Sequence, residues 1–170
     1  MSRPAILGSM LLAIVAIAAA AFAALRPLVI WNASASLPVG LYVVHAVDQP
    51  AVGDLVLART PDKWAREFDQ RGYLPAGVPL FKRIAAVQGS TVCRNDTRIV
   101  IDGKRVATAL RYDRYHRPLP DWQGCRRLSH DEIFLLVAEH PASLDGRYIG
   151  PTPLSSIMGR ASPLRIFKEP

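Results

Sequence analysis

Two side chains in this sequence have the chemistry of an acyl-transfer pair, the hydroxyl of Ser36 and the amine of Lys82. A serine hydroxyl becomes a nucleophile when a neighbouring base takes its proton, and a neutral lysine amine is such a base. Ser36 lies in Asn-Ala-Ser-Ala-Ser-Leu-Pro-Val-Gly-Leu-Tyr, residues 32 to 42, with Ser34 two positions upstream. Two serines ahead of a Pro and a Gly describe an exposed turn before a strand, and most such turns are only turns. Lys82 lies in Pro-Leu-Phe-Lys-Arg-Ile-Ala-Ala-Val-Gln-Gly. Strand alternation sets Lys82 on the face of Leu80 and Ile84, and Arg83 on the face of Phe81 and Ala85. A lysine between apolar neighbours is also what an edge strand uses against pairing, its ammonium reaching back to water. To act as a base it must be neutral. A free lysine titrates near ~10.4, so burial has to lower that value by several units.

The elements that must carry this pair are mostly strands. Gly40 to Val47, Asp54 to Thr60, Leu80 to Val87, Thr91 to Arg94, Arg98 to Ile101, Lys104 to Ala107, Ile133 to Ala138 and Ile157 to Arg165 are apolar or alternating runs bounded by Gly and Pro. Asp102-Gly103 is a hairpin signal. Only Pro61 to Arg71 reads as a helix, with Trp64 and Phe68 at i, i+4. Arg111 to Gly124, polar and Pro-punctuated, reads as a loop. The expected fold class is mainly β, an antiparallel β domain on one N-terminal transmembrane helix.

That helix is expected from the N-terminus. No charged residue occurs from Ala5 to Leu25, and a helix of that length reaches about 30 Å, the thickness of a bilayer core. Arg3 precedes it, Arg26 follows it, and Pro27 ends it. A secretory signal cut after Ala21-Phe22-Ala23 is the alternative, but the apolar run exceeds the ~7–15 residues of a signal core. Residues 1–26 are therefore an anchor or signal segment, and 27–170 an exported domain large enough to bury a core.

The rest of the composition narrows the classes. The net charge is +7, but Lys and Arg are scattered and not interleaved with aromatics, which argues against a nucleic-acid partner and leaves a basic surface facing anionic lipid. Cys93 and Cys125 are the only cysteines, and both lie in the exported part. They are a disulfide candidate, the alternative being two separate thiols. His45, His116, His130 and His140 have no metal-ligand spacing, so neither a metal nor another cofactor is expected.

The motifs together resemble the type I signal peptidase superfamily, and more closely its conjugative-transfer branch, the TraF peptidases. Ser-x-Ser-x-Pro-x-Gly-Leu-Tyr at 34–42 is similar to the nucleophile motif, and Lys-Arg-Ile-Ala-Ala-Val-x-Gly at 82–89 to the lysine motif. Ser143-Leu-Asp145-Gly-Arg147-Tyr-Ile-Gly150 resembles the third motif, and the Cys93/Cys125 pair also looks like the branch. The resemblance implies Ser36 as nucleophile, Lys82 as general base, and an oxyanion held by the Ser36 N–H with help from Ser34. It implies Asp145 and Arg147 as supports that order the lysine strand. Gly146 stands where the family places a small hydroxyl residue beside the lysine, which makes Ser143 the substitute. The implied function is cleavage of an exported pilin-like precursor by a membrane-bound serine endopeptidase in the periplasm, with conjugation-machinery proteins as further partners. A second implied activity joins the product's ends into a circular pilin. A signal peptidase for other exported proteins and a non-catalytic membrane-anchored scaffold are the competing readings.

Overall fold

Short apolar runs separated by turn residues leave the backbone little choice but to pair strand with strand, and the pairing throughout is antiparallel. The structure, a computed structural model, describes residues 3–24 and 28–167, and in the first helix the side chains of 7–17 only. In chain order the elements are α1 (Arg3–Ala24), β1 (Leu28–Asn32), β2 (Gly40–His45), β3 (Leu55–Ala58), α2 (Asp62–Gln70), β4 (Leu80–Ala86), β5 (Thr91–Asn95), β6 (Arg98–Ile101), β7 (Lys104–Thr108), β8 (Gly124–Arg127), β9 (Glu132–Leu136), α3 (Gly146–Ile149), β10 (Thr152–Pro153) and β11 (Ile157–Ile166). They form a seven-stranded sheet, β1-β2-β11-β3-β4-β9-β10, and a four-stranded sheet, β7-β6-β5-β8.

The mainly antiparallel β class is the one expected. The membrane helix is not shown: among the described residues no helix is long and apolar enough to cross a membrane. The expected anchor and the Ala21-Phe22-Ala23 cleavage site fall largely on side chains outside the described ones. Four elements were not expected. Strand β1 buries only the end of its length, and α3 and β10 are too short to show a period. Strand β8, Gly-Cys-Arg-Arg, has no apolar alternation at all and closes a stretch that reads as loop.

What holds β8 is its partner. Cys93 of β5 faces Cys125 of β8 in the register and is bonded to it. All four β8 residues are exposed, so burial contributes little and the crosslink fixes the strand. Replacing both cysteines by alanine is expected to lower stability by ~2–4 kcal/mol. A urea midpoint equal to that of the parent protein would show that the bridge holds nothing.

The core explains how two distant motifs meet. Leu37 and Phe81, the immediate neighbours of Ser36 and Lys82, belong to one buried cluster with Tyr42, Val44, Leu55, Leu57 and Ala161. Burying Leu37 therefore docks the serine turn on the sheet that carries the lysine. Gly40 permits this, because a Cβ there would run into the Arg165 carbonyl oxygen of β11.

Candidate active site

The serine turn is built by a residue that sequence reading passed over. Asn32, at the end of β1, is 4% exposed. Its amide donates to the carbonyls of Ser34, Leu37 and Pro38 at 3.2, 3.2 and 3.1 Å. Its oxygen accepts the Ser34 N–H at 3.1 Å and the Ser34 hydroxyl at 2.8 Å. The Asn-x-Ser spacing of an Asx turn was the available signal. Tyr42 secures the far side of the turn, donating from its hydroxyl to the Pro38 carbonyl at 2.8 Å. Ser34 Oγ lies 3.2 Å from Ser36 Oγ, and the Ser36 side is half-buried.

Lys82 approaches from β4. It is 3% exposed, and its Nζ donates to Ser143 Oγ at 2.9 Å and to Ser36 Oγ at 3.4 Å. Burial pushes its ammonium down from 10.5 to about 8, against the opposing field of Asp145. β4 is buried on both faces, with only Arg83 exposed; the lysine does not snorkel as an edge residue would.

The third motif assembles around an ion pair. Asp145 and Arg147 are 0% and 1% exposed, joined at 2.9 and 2.8 Å. Asp145 also accepts from the Val137 N–H at 3.0 Å and the Arg147 N–H at 3.1 Å. Arg147 also donates to the Val137 and His140 carbonyls, both at 2.7 Å. The pair was expected to order the lysine strand; what it ties down directly is the segment from Val137 to Arg147, and Ser143 sits inside it. Ser143 N–H donates to the His140 carbonyl at 3.0 Å, which aims the hydroxyl at Lys82. No side chain fits at Gly146, where a Cβ would stand 2.6 Å from the Phe134 ring and 2.7 Å from the Leu135 carbonyl. The hydroxyl beside Lys82 in the third-motif segment is that of Ser143.

Ser34, Ser36, Lys82 and Ser143 line one cleft of about 490 Å³, together with Ile30 of β1 and Tyr73 of the segment after α2. The Ser36 N–H meets no acceptor among the described residues. His140 lines the cleft too, although its Nδ1 is buried without a hydrogen-bond partner. No group of His, Cys, Asp and Glu among the described residues could hold a metal ion. A hydroxyl against a buried amine of lowered basicity, beside an open cleft, is an arrangement that can transfer an acyl group.

Comparison with known proteins gives the chain its family. The sequence matches the signal peptidase family (Signal peptidase, peptidase S26) over residues 4–165, so the chain belongs to that family and is a serine peptidase. Within the family it falls in the TraF branch of the type I signal peptidases. It is 38% identical to a probable conjugal transfer protein TraF of Sinorhizobium fredii over 141 residues, 76% of this chain and 73% of the relative. It is 34% identical to a conjugal transfer protein TraF of Agrobacterium fabrum over 80% of this chain and 81% of that one. A plasmid transfer protein TraF of Escherichia coli is 28% identical over 75% and 71%. Among solved structures, a signal peptidase I from Enterococcus faecalis aligns with 68% of this chain and 98% of its own, at a TM-score of 0.41 and 17% identity.

Ser143 provides a test of the site that leaves both chemical groups in place. Ser143→Ala removes the 2.9 Å partner of Nζ and frees the amine to leave Ser36. The expected result is a kcat lower by roughly 10–100-fold with KM little changed, since orientation and not substrate binding is lost. An unchanged kcat in a steady-state assay would remove Ser143 from the site.

Proposed function

We propose that this chain is a Ser/Lys endopeptidase that matures an exported pilin-like precursor at the outer face of the inner membrane. One observation carries the reading: a buried lysine amine of lowered basicity, 3.4 Å from a serine hydroxyl and steadied by a second one. Ser36 Oγ attacks the scissile carbonyl carbon while neutral Lys82 accepts its proton. The Ser36 N–H faces the oxyanion, and the Ser34 hydroxyl joins it by exchanging its bond to Asn32. Collapse of the intermediate breaks the C–N bond, and Lys82 returns the proton to the leaving amine. Neutral Lys82 then takes a proton from a water that adds to the ester carbonyl; the ester C–O bond breaks, and Lys82 passes the proton to Ser36 Oγ as the new carboxyl group leaves.

The conjugation-related substrate is supported by the names of the relatives, and the membrane site by the sequence. The apolar run from Ala5 to Leu25 supplies an anchor, and Leu7, Met10, Leu11, Leu12, Ile14, Val15 and Ile17 of α1 are exposed large apolar side chains. Ser36 follows the run closely, so enzyme and precursor tethered in one bilayer meet at a raised effective concentration. The test is the mass of a co-expressed candidate pilin with and without this protein. Loss of terminal peptides supports the reading, and a further loss of one water indicates cyclisation. An unprocessed precursor beside folded enzyme overturns it.

A further inference from the structure

The cleft has a wall that the chemistry does not use. It is formed by the chain between α2 and β4, where Tyr73, Leu74 and Val78 line the same cavity as Ser36 and Lys82. Helix α2 aims this wall through its C-terminus. Gly72 has a positive φ of 69°; its N–H bonds the Asp69 carbonyl, and Tyr73 N–H bonds the Phe68 carbonyl at 2.8 Å. This is the paired bonding of a Schellman cap, which fixes the direction in which the chain leaves the helix.

A second segment, about forty residues on in sequence, clamps the wall from outside. The Asp113 carboxylate accepts the Tyr73 hydroxyl at 2.6 Å, Arg117 Nε at 2.7 Å, Tyr115 N–H at 2.8 Å and Arg117 N–H at 2.9 Å. Arg117 donates onward to the Arg71 carbonyl at 3.1 Å, and Arg71 returns a bond to the Pro118 carbonyl at 2.6 Å. The Arg117 guanidinium lies 5.0 Å from the centres of both the Tyr73 and Tyr115 rings. Asp113 has only 7% of its side chain exposed, in a loop whose Tyr112 and Tyr115 are well exposed. That carboxylate joins its own turn to the wall through four hydrogen bonds. Their common effect is to fix the Tyr73 ring at the cleft, next to Leu74, with the phenol proton turned to Asp113.

We propose that Tyr73 and Leu74, held by the Asp113–Arg117 clamp, form an additional subsite that reads an apolar side chain of the precursor at a distance from the scissile bond. The proposal rests on the peptidase reading above. An apolar wall rewards a Leu or Phe of the substrate by burial, and rigidity lowers the entropic cost of making that contact. The subsite acts on binding and leaves Ser36 and Lys82 untouched.

The test uses the full chain in detergent and two synthetic peptides that carry the same cleavage site, taken from the candidate pilin. One is short, and the other is extended with Leu and Phe on both sides. Asp113→Ala and Leu74→Ala are expected to raise KM for the long peptide about tenfold, with kcat within about twofold of the parent, the discrimination an apolar subsite supplies. The short peptide, already poor, is cleaved alike by all three proteins. Equal loss on both peptides, or no loss on the long one, overturns the subsite. Leu74→Ala decides the matter should removal of Asp113 disturb the loop as a whole. A parent protein that cleaves neither peptide takes down the peptidase reading, and the subsite with it.

Discussion

Lys82→Met is expected to abolish precursor cleavage and, at the same time, to stabilise the folded protein. The first effect follows from the proposed dyad, in which Lys82 is the base: kcat/KM should fall roughly 1,000-fold or more, and Ser36→Ala should do the same, since a nucleophile and its base act as a unit. The second follows from linkage. The folded-state lysine titrates at about 8 and the unfolded one at 10.5, so burial of its ionised form weakens the fold by about 3 kcal/mol near neutral pH. Between those two values the unfolded chain binds more protons, so the parent protein gains stability as pH rises through that window. Methionine fills a similar volume with no charge to desolvate; after loss of the hydrogen bonds to Ser143 and Ser36, a net gain of about 1–2 kcal/mol remains. Activity of the parent should climb towards a plateau above about pH 8 as Lys82 loses its proton. Melting curves of the two proteins across pH 7 to 10 and a pH–rate profile of the parent, over ranges chosen around ~8, check both halves. A less stable Lys82→Met protein, or a flat profile, would deny Lys82 its part.

How much of this was readable beforehand depended on how local each feature is. β4 was legible because Leu-Phe-Lys-Arg-Ile-Ala-Ala is a largely apolar run bounded by turn residues, and α2 because Trp64 and Phe68 share one face. β8 was not, because its place comes from pairing with β5 and from the Cys93–Cys125 bond, contacts more than thirty residues away in sequence. The same contrast runs through the site. Ser36 and Lys82 stand in motifs whose types and spacing carry information. Asn32 does its work through five hydrogen bonds, four of them to backbone groups, and nothing about an asparagine in a polar turn announces how many it makes. The choice between Gly146 and Ser143 as neighbour of the lysine was a packing question. It is answered by the Phe134 ring, which leaves no room for a side chain at 146. Tyr73 belongs to the same class, as its place in the cleft is set by Asp113 and Arg117 from another part of the chain.

Asp145→Asn separates the two things that the buried ion pair does. It leaves shape nearly unchanged and removes the charge that faces Arg147, a guanidinium 1% exposed with no other carboxylate bonded to it among the described residues. An arginine buried without its counter-charge costs about 3–5 kcal/mol, a large part of the ~5–15 kcal/mol that holds a domain folded. The Val137 to Arg147 segment loosens first, because the carboxylate takes the Val137 N–H and the guanidinium takes the Val137 and His140 carbonyls. Ser143 lies in that segment, so its 2.9 Å contact with Lys82 loosens too, and kcat falls even where the protein remains folded. The charge also acts on the base. Asp145 raises the lysine's pKa from its buried position, so its removal moves Lys82 further down and shifts the rising limb of the pH–rate profile to lower pH. The three readouts are a urea midpoint, kcat at the pH plateau, and the position of that limb. A variant as stable as the parent would mean that Arg147 finds water or another partner. A limb that stays in place would mean that the field of Asp145 does not reach the amine.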